Sequence, residues 1–227
     1  MLRSDERTDS ELPEPEELWP SWRDIDAAEE QRHYATAVFL CREYLKREPN
    51  SGIAWGTLGW LLYEMARYEE ARAALEEALK HPPLLPSLPD FRWTYPLYKM
   101  GHLYRARGRY AEAAVWYHRG IELEPNDATG YIFLGAVLAK SGDFAGAEEQ
   151  HRKAIRCEDG CIDEAYLNLG LVLRAQERFS EAAECLRKSL ELDTDGDADG
   201  GTRAALEDVE RMLRFTRGKL GDNSNAG

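Results

Sequence analysis

The chain has 227 residues and a formal charge of −13, with 42 acidic side chains against 29 basic ones. Such a balance argues against DNA or RNA as the main partner, because phosphate backbones are held by basic surface. No run of about 18 apolar residues occurs, so no membrane span or membrane partner is expected, and four cysteines in a chain this long do not make a disulfide framework.

From the N-terminus, Met1-Leu2-Arg3-Ser4-Asp5-Glu6 lacks the apolar core of a signal peptide, and a cytoplasmic location is the default expectation. Residues 1–17 carry seven acidic and two basic side chains with Pro13 and Pro15, and read as a disordered acidic tail. A solenoid domain is expected over 18–217, and a self-similar frame runs through it. Its anchors are Gly59, Gly101, Gly135 and Gly170, spaced 42, 34 and 35 residues apart. A first, weaker unit keeps Tyr34-x-x-Ala37, Leu45 and Pro49, but Trp22 to Glu30 lack the Leu-Gly pair. The second unit has Trp55-x-x-Leu58-Gly59, Tyr68-x-x-Ala71, Ala78-Leu79 and Pro83. The third has Met100-Gly101-x-x-Tyr104, Gly108-x-Tyr110-x-x-Ala113, Tyr117 and Pro125. The fourth has Tyr131-x-x-Leu134-Gly135, Gly142-x-Phe144-x-x-Ala147 and Ala154; the fifth has Tyr166-x-x-Leu169-Gly170, Phe179-x-x-Ala182 and Leu190.

Each unit reads as two helices that cannot bury their apolar faces alone. Small residues such as Gly101 and Ala113 allow close approach, and Tyr104 and Tyr117 fill the space between neighbours. Gly108-Arg109 and Gly142-Asp143 are expected to reverse the chain, and Pro49, Pro83 and Pro125 to close units. Eight extra residues fall between units two and three, within the proline-rich stretch 81–90; that stretch is either a lengthened surface loop or a flap beside a binding groove. Leu206, Val209, Met212 and Leu213 recur at helical spacing and predict a capping helix over 202–217, followed by a disordered tail over 218–227.

This frame resembles the tetratricopeptide repeat family over residues 18–196. The resemblance implies an all-α, right-handed superhelical solenoid of about five helix-turn-helix repeats with a C-terminal capping helix. It also implies that the first helix of each unit lines a concave groove that holds another protein. Carried over position by position, the partner-binding residues are Trp60, Tyr63, Tyr95, Tyr98, Lys99, His102, Arg105, Phe133, Lys140, Asn168 and Arg174, with Glu64, Ile132, Ala136, Glu164, Leu167 and Leu171 beside them. Aromatics and arginine dominate, and Lys99, Arg105, Lys140 and Arg174 against Glu64 and Glu164 make the groove net basic. A partner segment with acidic and large apolar residues is the matching ligand, and the acidic tail 1–17 is a candidate occupant when the partner is absent. The carboxylate clamp of chaperone-binding members is poorly matched: Gly56, Trp60, Tyr98 and His102 stand at its positions, and only Asn168 resembles one.

No catalytic constellation emerges: no phosphate-binding glycine loop, no nucleophile elbow and no HExxH. Asp195-Gly196-Asp197-Ala198-Asp199-Gly200 matches half of a calcium loop, but loop position twelve is Leu206 and not glutamate, so a solvated acidic linker is expected. Cys157, Cys161 and His151 make three local ligands where structural zinc needs four. Cys41 and Cys185 are expected as small buried apolar groups. The sequence therefore predicts no metal, no cofactor and no enzyme, but an interaction module acting as adaptor, assembly factor or chaperone-like protein. The alternatives are a self-associating scaffold and a non-catalytic regulatory subunit of an enzyme complex.

Overall fold

The computed structural model describes residues 20–81, 95–193 and 199–224, and divides the chain into two compact units, Met1–Leu88 and Pro89–Gly227. The first contains α1 (Trp22–Glu30), α2 (Tyr34–Arg47), α3 (Gly52–Glu64) and α4 (Tyr68–Lys80), each packed on the next. The second contains α5 (Tyr95–Ala106), α6 (Tyr110–Leu123), α7 (Ala128–Ser141), α8 (Phe144–Ala154), α9 (Ile162–Ala175), α10 (Phe179–Leu192) and α11 (Asp199–Ser224). Its helices also pack in chain order. In addition α5 touches α7, α7 touches α9 and α9 touches α11, so alternate helices share one face. The fold is all-α; the extended pairing among the described residues is an isolated bridge between Asp127 and Asp159.

Five hairpins are built on one turn. A left-handed residue follows the first helix of each: Arg32 (φ 56°), Ala66 (φ 56°), Gly108 (φ 71°), Gly142 (φ 91°) and Glu177 (φ 61°). The next amide then donates back five residues, from His33 to Ala28, Arg67 to Leu62, Arg109 to Tyr104, Asp143 to Leu138 and Arg178 to Leu173, at 2.8–2.9 Å. This is the Schellman closure, which satisfies carbonyls the helix end would leave orphaned. It identifies Trp22–Arg47 as a full repeat, although its first helix lacks the Leu-Gly pair.

The reason that pair is dispensable lies sixteen residues on. A Cβ at Gly59 would meet Leu75 at 2.6 Å, at Gly101 the ring of Tyr117 at 2.2 Å, at Gly135 the ring of His151 at 2.5 Å, and at Gly170 Leu186 at 2.8 Å. Each glycine is thus the floor on which one large side chain of the second helix rests. In the first repeat the same two positions hold Ile25 and Cys41, both fully buried, so bulk has moved from the second helix to the first at similar total volume. Cys41 is therefore a buried apolar group as expected. Cys185 is only partly buried, because the resting position in that repeat belongs to Leu186.

The cap also departs in detail from the expectation. α11 starts at Asp199 and runs on through Gly218 to Ser224; a glycine within a helix costs only about 1 kcal/mol and does not by itself stop one. Its buried line is Thr202, Ala205 and Val209, flanked by Leu206 and Leu213 against Leu169, Leu173, Ala182, Ala183 and Leu186, whereas Met212 is exposed. The acidic tail 1–17, Pro83 with the proline-rich stretch beyond His81, and the calcium-like residues 195–198 lie outside the described residues.

Candidate functional site: the shared face of α5, α7 and α9

Side chains from α5 and α7 make an aromatic knot on this face. The His102 ring stands edge-on to Phe133 at 4.5 Å between centroids, and its Nδ1 is 2.7 Å from the Tyr117 hydroxyl of α6. Tyr98 packs edge-on against Phe133 at 5.5 Å and tilts onto Tyr117 at 6.5 Å. Tyr98 is buried, with Gly120 and Gly130 giving it room, so it anchors the face from beneath instead of lining it. His102 and Phe133 are half-buried and form the accessible floor.

The electrostatics follow from crowding. Burial, with Arg105 and Lys99 adding to it, pushes the His102 pKa down to about 3, so the imidazole is neutral at physiological pH. The positive charge of the floor therefore rests on Arg105 and Lys99, with exposed Lys140 farther along α7. Glu164 of α9 faces them. Its side chain reaches solvent, yet the surrounding protein raises its pKa, while a 3.4 Å hydrogen bond from Asn168 Nδ2 and the charge of Arg105 act the other way. The charge of Arg105 on α5 thus reaches Glu164 on α9, the helix on the far side of α7.

The structure brings Tyr98, His102 and Phe133 together, with Tyr95, Lys99 and Arg105 on the same helix α5, while Asn168 is bonded to Glu164 on α9. Lys99 Nζ sits 4.6 Å above the Tyr95 ring, a cation–π contact. Arg174 is drawn toward the cap, 3.3 Å from Asp208 of α11. Trp60 and Tyr63 belong to the first unit. There they stack at 5.7 Å, and Trp60 donates to Glu29 at 3.1 Å, tying α3 to α1.

Among the described residues no group of three or more His, Cys, Asp or Glu side chains is arranged to hold a metal ion. His151 is the ring resting on Gly135, and Cys161 stands at the N-cap of α9, where Ser51 and Asp127 cap α3 and α7. No described helix is long and apolar enough to cross a membrane.

One feature of the repeat was present in the sequence but not singled out. Arg67-Tyr68-x-Glu70, Arg109-Tyr110-x-Glu112 and Arg178-Phe179-x-Glu181 each fold into a forked ion pair at the start of the second helix, at 2.7, 2.7 and 2.5 Å. Arg42 and Arg152 of the preceding hairpin reach the same glutamates, Glu70 at 2.9 Å and Glu181 at 3.9 Å. Arg178 also grips Glu148 at 2.7 Å; burial alone would raise the Glu148 carboxyl, but Arg178, Gln176 and Arg152 hold it below the usual range.

Comparison with known proteins agrees with this architecture. Models described as tetratricopeptide or TPR repeats match residues 28–84, 101–156 and 163–195, together well over half of the chain. Human tetratricopeptide repeat protein 7B is 30% identical over 102 residues, which cover 45% of this chain but 12% of that protein. The probable biofilm formation methyltransferase WspC of Pseudomonas aeruginosa is 35% identical over 95 residues, 42% of this chain and 21% of that one. The chain thus spans a minor part of the length of these relatives. Among solved structures, Cut9 with Hcn1 from the APC/C hetero-tetramer superposes with a TM-score of 0.65 at 17% identity, covering 84% of this chain and 36% of the other. MamA from Desulfovibrio magneticus does so with 0.60 at 19% identity, covering 77% and 94%. The shared turn, the glycine floor and the three matched segments place the chain in the tetratricopeptide repeat family.

Proposed function

We propose that the shared face of α5, α7 and α9 holds a segment of another protein, extended or helical, and that the chain works as a non-catalytic adaptor or assembly factor. The observation that carries this reading is the floor itself: half-buried His102 and Phe133, with Arg105 on one side and Glu164 on the other, both coupled across α7. An apolar side chain of the partner would cover the two rings, and a carboxylate beside it would meet Arg105 and Lys99. A neutral His102 keeps the floor apolar enough to favour that burial. The Tyr117 hydroxyl that meets His102 lies under the floor, with Tyr117 fully buried, and what the face offers a partner is aromatic and charged contacts, which fits binding.

Capture from host lysate with quantitative mass spectrometry tests this reading, comparing wild type with Lys99→Glu/Arg105→Glu. Both side chains are at the surface of α5 and their reversal leaves Tyr98, Tyr117 and the hairpin intact. A partner lost selectively from the variant supports the assignment. An unchanged set of captured proteins removes the binding surface from this face.

A further inference from the structure

The first unit carries a charged face of its own, and its sign is the reverse of that on α5. The ion pairs among that unit's described residues all lie on α2, α4 and the Arg67 cap. On α1 and α3 the carboxylates are left over. Asp24 is spent on capping Ser21. Asp26, Glu29 and Glu30 follow at the three- and four-residue spacing that sets side chains on one face of a helix. The protein around Asp26, with the charge of Glu30 adding to it, raises its carboxyl above the usual range. The charges of Glu29 and Asp26 also both reach buried Cys41, so the carboxylates crowd one side of α1. α3 has a single charged residue, Glu64, one turn after Trp60. The one base on α1 is Arg23, exposed and in no ion pair among the described residues.

Aromatic rings stand beside these carboxylates. The Trp60 indole donates to Glu29 Oε1 at 3.1 Å, and the Trp60 and Tyr63 rings stack at 5.7 Å and 17°. Both rings are half-buried, so part of each stays at the surface. We propose that this face of α1 and α3 binds an arginine-bearing segment of another protein, with one guanidinium laid on the Trp60–Tyr63 rings and hydrogen-bonded to Glu29. Glu29 spends one carboxylate oxygen on Trp60 and has the second for the ligand. Asp26, Glu30 and Glu64 answer the charge of that arginine and of a second one along the segment. A guanidinium suits the site better than an ammonium, because it is planar, weakly hydrated, stacks on rings and presents several donors at once. The second unit shows the same chemistry within the chain. There Arg109 lies 4.8 Å from the Tyr104 centroid while two of its nitrogens donate to Glu112. Nothing in this proposal depends on the face of α5, α7 and α9.

Isothermal titration of the full chain with the peptide acetyl-Gly-Arg-Gly-Arg-Gly-amide tests this, beside its lysine counterpart. Wild type is expected to hold the arginine peptide with a Kd on the order of 100 µM, and the lysine peptide about fivefold more weakly. Trp60→Leu and Asp26→Asn/Glu30→Gln are each expected to weaken the arginine peptide about fivefold. Glu122→Gln/Glu158→Gln removes as much charge from exposed positions of the second unit and is expected to weaken it by less than about twofold. Asp26 and Glu30 are exposed, so their variant keeps its helical circular dichroism and the test does not rest on the ring substitution alone. No binding up to about 1 mM overturns the proposal. An equal loss in the Glu122/Glu158 variant also overturns it, by reducing the attraction to overall charge, and a lysine peptide held as tightly overturns the guanidinium assignment. Every variant keeps Lys99 and Arg105, so loss of the peptide with partner capture retained, or the converse, separates this proposal from the preceding one.

Discussion

Ala66 and Glu177 hold φ of 56° and 61° at turns where the third and fourth repeats use Gly108 and Gly142. A side chain in the left-handed region costs roughly 1–2 kcal/mol, partly offset because glycine loses more freedom on folding. Both residues are exposed, so a glycine there gives up little burial. Ala66→Gly and Glu177→Gly are therefore each expected to stabilise the chain by about 1 kcal/mol in urea titration, and Gly142→Ala to destabilise it by a similar amount. Equal and opposite results would remove the turn conformation as the cause. His151 is a second residue whose cost is legible. It is 1% exposed, rests on Gly135, and its Nδ1 has no hydrogen-bond partner among the described residues. Burial lowers its pKa to about 4. The unfolded chain therefore takes up a proton near pH 6.5 that the folded chain refuses until about pH 4, and stability falls as pH drops through that window. At 1.36 kcal/mol per unit the loss is about 3 kcal/mol by pH 4, and His102, lowered in the same direction, adds to it. Leu75 and Leu186 occupy the same position over glycine, so His151→Leu keeps the fit and is expected to flatten the pH 6.5-to-4 slope. A slope unchanged by this substitution would place the acid sensitivity elsewhere.

Among the elements, the hairpins of the second to fifth repeats were legible because two signals coincide there: an apolar stripe of helical period and a glycine sixteen residues before a large side chain. The first repeat was harder to read because Ile25 and Cys41 exchange bulk between the two helices, which leaves the geometry intact while erasing the Leu-Gly signature. Its turn was hidden as well, since Arg32 takes a conformation that sequence preference assigns to glycine. At the candidate site, residue spacing put Tyr98 and His102 one turn apart on the same helix, and both are in the knot. Spacing alone could not say that Gly120 and Gly130 open a space into which Tyr98 sinks, because those glycines come from two other helices. Nor could it say that Arg174 would turn toward Asp208, since the pairing depends on where α11 is laid. The forked Arg–Glu pairs were readable in principle. They escaped because the repeat frame is defined by apolar positions, and exposed ion pairs screened by water leave little trace in stability.

For the molecule as a whole, stability is distributed along the chain as a sum of hairpins and the interfaces between neighbours. In the second unit α7–α8 is covered on both sides, by α6 and by α9, whereas α9–α10 depends on α11 for its outer cover. Leu173, Leu186, Ala182 and Ala183 are each at most 1% exposed because Ala205 and Val209 lie over them. Ending the chain after Asp193 would uncover that cluster, at about 25 cal/mol for each Å2 of apolar surface returned to water. The loss need not be shared evenly. In a nearest-neighbour array it falls first on α9–α10, then through α8 on α7–α8, and least on α5–α6. Amide hydrogen exchange on the full chain and on this truncation reads the gradient directly: protection is expected to drop at least tenfold in α9–α10 and to change little in α5–α6. A uniform drop across α5 to α10 would mean that the second unit unfolds as one cooperative block, and that α11 stabilises the shared face of α5, α7 and α9 as strongly as it does its own neighbour.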